Sequence, residues 1–116
     1  MLYAFTMHFR AKKGYTGLLV GQCNEFPAII VQGKTLLDLR KELLDGLNWY
    51  LKAFPQRKQE MIEKYAILIQ SEEQIKQTDQ KILKNEEDLQ KHQEYFDQQE
   101  VPITEEWQEQ VITVKV

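Results

Sequence analysis

Hydrophobic and polar residues alternate at the start of the chain. Tyr3, Phe5, Met7 and Phe9 fall on one side, and Ala4, Thr6, His8 and Arg10 on the other. That period of two is the pattern of a strand with one buried face. Ala11-Lys12-Lys13-Gly14 reads as a turn in which Gly14 is free to take a positive φ. Tyr15 to Cys23 reads as a second strand returning in a hairpin. Within it Gly17 and Gly21 share the face of Leu19, which suits a bulge or the close approach of another backbone. Asn24-Glu25-Phe26-Pro27 interrupts the strand, Ala28 to Gln32 forms a third, apolar one, and Gly33 ends it.

Beyond Gly33 the period lengthens. Thr35 is placed as a helix N-cap with Asp38 in the first turn, where a carboxylate favours the positive end of the helix dipole. Leu36, Leu39, Leu43, Leu47, Tyr50 and Phe54 recur at steps of three and four, an apolar stripe suited to covering one face of the sheet. Pro55 ends or kinks this helix. Residues 57–99 then read as one long helix, or two broken near Lys84-Asn85. Leu68, Ile75, Ile82, Leu89 and Phe96 stand seven apart, while the alternating positions Tyr65, Glu72, Asp79, Glu86 and Gln93 are mostly polar. One of the two seam positions of a coiled coil is therefore largely missing. The narrow edge that remains is a candidate helix interface, made in cis or with a second copy in a homodimer or higher homo-oligomer.

Val101-Pro102-Ile103 marks a loop. Val111 to Val116 alternates again, with Ile112, Val114 and Val116 on one face. A lone strand is unstable, so this one is expected to return to the N-terminal sheet, through a right-handed crossover if it pairs in parallel. The pattern predicts one α+β domain over 1–116: a three-stranded antiparallel meander and amphipathic helix (1–55), a long helical excursion (57–99) and a final strand (110–116).

Composition narrows the function classes. With 116 residues there is room for one ordinary domain. The net charge of −3 gives no overall attraction to nucleic acid, but it is unevenly spread. Residues 1–35 hold Arg10, Lys12, Lys13 and Lys34 against Glu25 alone, a net +3, and the remaining 11 basic and 17 acidic residues give −6. Neither a helix-turn-helix nor a basic helix is visible, and the few cations of the first hairpin would bind phosphates only weakly. The first nine residues lack the pattern of a secretion signal, and no run approaches the roughly 18 apolar residues of a membrane span. With one cysteine, a cytoplasmic protein is the expectation.

No catalytic constellation emerges. The predicted strands contain no carboxylate, since Glu25 lies between two of them, whereas metal-assisted nucleases need several converging acids. His8 and His92 lack a second ligand at metal-binding spacing, Cys23 has no accompanying motif, and Gly33-Lys34-Thr35 lacks the upstream glycine of a phosphate loop. The expectation is a non-enzyme with no cofactor and no metal.

Residues 14–51 carry an ordered set of short motifs: Gly14-Tyr15, Glu25-Phe26-Pro27, Gln32-Gly33-Lys34-Thr35, then the leucine-rich helix through Glu42-Leu43-Leu44 to Trp49-Tyr50-Leu51. In this the chain resembles the HicB-like antitoxin family. Ala28 stands where members often have glycine, Asp38-Leu39 where they often have Glu-Ala, and no C-terminal DNA-binding unit is visible. The resemblance implies a partial ribonuclease-H-like fold without catalytic acids, with Gly14, Tyr15, Pro27, Gly33 and Thr35 in structural roles. It further implies that the chain binds and masks a small ribonuclease toxin of the HicA type. The alternative is a non-catalytic structural protein that self-associates through the long helix.

Overall fold

The computed structural model describes residues 1–14, 16–97 and 108–115. In chain order the elements are β1 (Leu2–Lys13), β2 (Leu19–Cys23), β3 (Ile30–Gly33), α1 (Leu36–Ala53), α2 (Pro55–Lys64), β4 (Ala66–Ile69), α3 (Glu72–Asp97) and β5 (Gln108–Lys115). Among the described residues the expected three-stranded meander is therefore corrected to a five-stranded sheet with three helices.

β1 is the spine of that sheet, and every one of its pairings is antiparallel. Phe9 pairs with both Cys23 and Gln108, and Leu2 to Phe5 pair with both β4 and β5. A strand has only two edges, so β2 and β4 lie end to end along one edge of β1 and β5 along the other. β3 pairs with β2 and is the outermost described strand on that side. Because β5 runs antiparallel to β1, the crossover rule for parallel strands does not come into play.

The alternation of β1 decides which face is buried. Phe5, Met7, Phe9 and Ala11 are buried with Leu19, Cys23, Ile112 and Val114 from the same face of neighbouring strands. Leu36, Leu39, Leu43, Leu47 and Leu51 of α1 pack onto them, joined by Met61 of α2 and Leu89 of α3. Each fully buried leucine contributes roughly 2 kcal/mol relative to exposure. The alternate strand residues Ala4, Thr6, Arg10, Gln22, Ile30 and Ile67 are half-buried or exposed. Of the remaining expected members of the helix stripe, Tyr50 is half-buried and packs against the core, whereas Phe54 is 51% exposed as the C-cap.

The first connection differs from the expected turn at residues 11–14. β1 continues to Lys13, the Gly14 N–H donates to the Leu18 carbonyl at 2.7 Å, and Gly17 holds the positive φ, +81°. Gly21 accepts the helix instead of forming a bulge: a Cβ there would meet both Leu39 methyl carbons at 3.4 Å.

The largest correction concerns residues 57–99. They are not one helix, or two broken near Lys84-Asn85, but α2, a strand and α3. Pro55 occupies the first turn of α2, where its missing N–H costs nothing. Ala66-Ile67-Leu68-Ile69 then pairs with Phe5 to Leu2. An apolar run of four cannot be assigned to helix or strand by periodicity; the open half-edge of β1 decides it. α3 starts at a capping box. Ser71 Oγ accepts from the Gln74 N–H at 3.2 Å, and Gln74 Oε1 accepts from the Ser71 N–H at 3.1 Å.

Candidate functional site

The richest polar cluster forms where the β2–β3 connection folds back on β1. The Asn24 N–H donates to the His8 carbonyl at 2.8 Å, which turns Glu25 toward the strand. The Glu25 carboxylate accepts from the His8 backbone N–H at 3.0 and 3.1 Å and meets His8 Nδ1 at 2.5 Å. Its side chain is only 5% exposed. On the other side of the ring, Nε2 lies 3.4 Å from Glu109 of β5. Burial pulls the His8 pKa down, but the hydrogen bond and charge of Glu25, reinforced by Glu109, push it up by more, and the net direction is upward.

Cys23 adds its Sγ to Glu25 at 3.6 Å. The grouping of Cys, His and Glu has the composition of a nucleophilic site but not its chemistry. Burial is the main force that pushes the Cys23 thiol up to about 11, whereas a nucleophilic cysteine needs its thiolate near neutral pH. Its contact is with the Glu25 carboxylate, and the two ring nitrogens of His8 face Glu25 and Glu109 rather than the thiol. Among the described residues no group of three His, Cys, Asp or Glu is arranged to hold a metal ion. The cluster acts as a clamp joining β1, β5 and the β2–β3 loop. The sequence offers His8 no partner at close spacing, because Glu25 stands seventeen positions away and arrives only through the hairpin.

A second polar network joins α1, α3 and β5. Arg40 is 8% exposed; its Nε donates to Gln110 Oε1 at 3.0 Å and its Nη2 to the Val111 carbonyl at 2.9 Å. Nη1 lies 3.4 Å from Glu86. Asn85 Oδ1 accepts the Val111 N–H at 2.9 Å, and Gln93 Oε1 accepts the Leu36 N–H at 2.7 Å, so α3 also caps the start of α1. Burial lowers the Arg40 pKa, with Glu86 opposing it.

The remaining features are surfaces. Phe26, Pro27, Tyr50, Arg57, Glu60 and Tyr65 line a shallow groove of about 280 Å³, within which Arg57 and Glu60 already pair at 3.0 Å. Trp49 is 69% exposed on α1, Ile30 61% on β3 and Ile67 69% on β4. Among the described residues β3 pairs only with β2 and β4 only with β1, so each presents an open edge.

The structural motif residues serve separate junctions. Gly33 and Thr35 meet at the β3–α1 corner. A Cβ on Gly33 would stand 3.0 Å from Asp38 Cβ, and Thr35 Oγ1 accepts the Asp38 N–H at 3.1 Å. Gly14 closes the first loop, and the exposed Pro27 offers its carbonyl to Gln22 Nε2 at 2.9 Å; Tyr15 lies outside the described residues. The five residues of the expected helix interface do not form one seam. Leu68 belongs to β4 opposite Tyr3, Ile75 is 40% exposed, Ile82 is half-buried and Leu89 is 1% exposed within the core. Phe96 lies in α3, and its side chain is outside what is described. α3 thus packs in cis through Leu89, Asn85, Glu86 and Gln93.

No helix among the described residues is long and apolar enough to cross a membrane. No family model, no curated protein and no solved structure matches this chain.

Proposed function

We propose that the chain is a non-catalytic binding module, HicB-like in action, that binds a small ribonuclease of the HicA type and masks it by occlusion. The observation that carries this reading is a set of large apolar side chains left exposed, Ile30 and Ile67 on the sheet face opposite the helices and Trp49 on the outer side of α1. Trp49, Ile30 and Ile67 are more than 60% exposed while anchored on regular secondary structure. Large side chains held rigidly at the surface, tryptophan above all, are the usual anchors of protein recognition. Masking needs shape rather than reactive groups, and the Cys23–His8–Glu25 grouping is committed to holding the fold together.

The test is co-expression of the tagged chain with the protein encoded beside it. The expected result is a stable complex of the two on gel filtration, together with relief of the growth arrest that the neighbour causes when expressed alone. A neighbour that neither co-elutes nor is neutralised refutes the proposal.

A further inference from the structure

The outer edge of β3 is bordered along its whole length by one stripe of α1. Gly33, at the end of the strand, abuts Asp38, and a Cβ on Gly46 would stand 3.1 Å from an Ile29 methyl and 3.9 Å from a Val31 methyl. The helix therefore runs antiparallel to β3 and directly over it. Asp38, Glu42, Asp45 and Trp49 are spaced i, i+4, i+7 and i+11, which places them on one line of the helix surface. That line is next to Gly46. All four side chains are exposed.

The strand beneath is short, four residues, but among the described residues nothing pairs with its outer edge. Residues 26–33, Phe-Pro-Ala-Ile-Ile-Val-Gln-Gly, contain no charge, whereas natural edges are normally blunted by lysine, bulges or covering segments. The Ile29 carbonyl accepts from Cys23 at 3.2 Å. By alternation Val31 and Gly33 also turn their polar groups toward β2, and the backbone N–H and C=O groups of Ile30 and Gln32 point outward.

We infer that the β3 edge receives an extended, basic segment of a protein partner, which adds as a sixth strand and lies beneath the Asp38–Glu42–Asp45–Trp49 stripe. Backbone pairing to Ile30 and Gln32 supplies the register, and alternate side chains of the incoming strand reach the stripe. An apolar residue there packs on Trp49, and lysine or arginine faces the three carboxylates; of the cations between them in sequence, Arg40 is turned inward to Gln110 and the exposed Lys41 stands about 60° round the helix from Asp38, on the side away from Gly46. Charge selects this occupant over a second copy. A two-fold axis through paired β3 strands would set both α1 helices on the same face with their stripes opposed. Six carboxylates would then meet across the axis, and like charges juxtaposed at an interface cost several kcal/mol. The inference rests on the masking role and names the surface that role would use.

The probe is an end-capped synthetic heptapeptide alternating valine and lysine, with a valine–glutamate peptide as its counterpart, titrated into the ¹⁵N-labelled full chain. The valine–lysine peptide is expected to shift the Ile30 and Gln32 amides and slow their hydrogen exchange, and to bind less well as salt rises. Glu42→Lys with Asp45→Lys, both at exposed positions, should weaken it about tenfold, and Gln32→Pro should abolish it by removing an outward N–H. The inference is overturned if those two amides are unaffected, if the charge-reversed variant binds as well, or if the glutamate peptide binds equally. It is also overturned if Gln32→Pro converts a dimer of the free chain to a monomer. The co-expression complex reports separately: its formation with both variants, as with the original chain, removes the edge and leaves masking intact. Peptide binding without that complex removes masking and supports the edge.

Discussion

Replacing Arg40 by methionine tests whether the α1–β5–α3 junction is held by its polar network or by its packing alone. Methionine keeps most of the side-chain volume, so the loss is that of the guanidinium. Gln110, 2% exposed, loses the donor at 3.0 Å, and a buried acceptor left without a partner costs about 1–3 kcal/mol. The half-buried Val111 carbonyl loses its donor at 2.9 Å, adding about 1 kcal/mol. The contact with Glu86, whose side chain is 42% exposed, contributes about 0–1 kcal/mol. Part of the total is returned because the buried guanidinium no longer has to be desolvated. The net expectation for Arg40→Met is a loss of about 2–4 kcal/mol. With a urea m-value of about 1.5 kcal/mol/M, the unfolding midpoint falls by about 1.3–2.7 M. Pairing it with Gln110→Met removes both partners, and the double variant should be less destabilised than the sum of the singles by about 1–3 kcal/mol. Urea melts followed by circular dichroism supply all four corners of this cycle. A single variant within about 0.5 kcal/mol of the original, or strict additivity, would refute the reasoning.

The His8 clamp predicts a pH dependence of definite sign. Its folded pKa is raised above 6.5, so the stabilisation from the Glu25 pair is fully present below pH 6.5 and is lost as pH rises through the folded value. An NMR titration should place the His8 midpoint above 6.5 and Glu25→Gln should lower it; a midpoint at or below 6.5 in the original chain sinks the clamp. Packing of α3 in cis predicts that Leu89→Ala, at a core position 1% exposed, costs about 2–5 kcal/mol in thermal or chemical melts. Leu83→Ala, at 60% exposure on the same helix, should stay within about 0.5 kcal/mol; the opposite order would mean that α3 uses another face.

Some of the architecture is legible from local order alone. The alternation of Tyr3, Phe5, Met7 and Phe9 assigns the buried face of β1, since residues two apart in a strand share a side whatever the strand pairs with. Thr35 and Asp38 mark the start of α1 because the cap closes over three residues, and the leucine stripe follows from the helical period. Ser71 and Gln74 carry an equally local signal for the start of α3, which the seven-residue spacing of Leu68, Ile75 and Ile82 obscures. The candidate surface is partly legible in the same way: the i, i+4, i+7, i+11 spacing of Asp38, Glu42, Asp45 and Trp49 is present in the sequence.

Tertiary structure decided the rest, wherever the outcome depended on distant parts of the chain. Ala66 to Ile69 became a strand because β2 pairs only with the C-terminal half of β1 and leaves Leu2 to Phe5 an open edge. His8 acquired Glu25 and Arg40 acquired Gln110, seventy residues away, because a buried charge is tolerated only where folding brings it a partner. That the acidic stripe of α1 borders an open strand followed from Gly33 and Gly46, which let the helix lie close against β3. Periodicity can report which face of an element is apolar, but not which neighbour that face or edge will meet, because neighbours are set by chain closure across the whole domain.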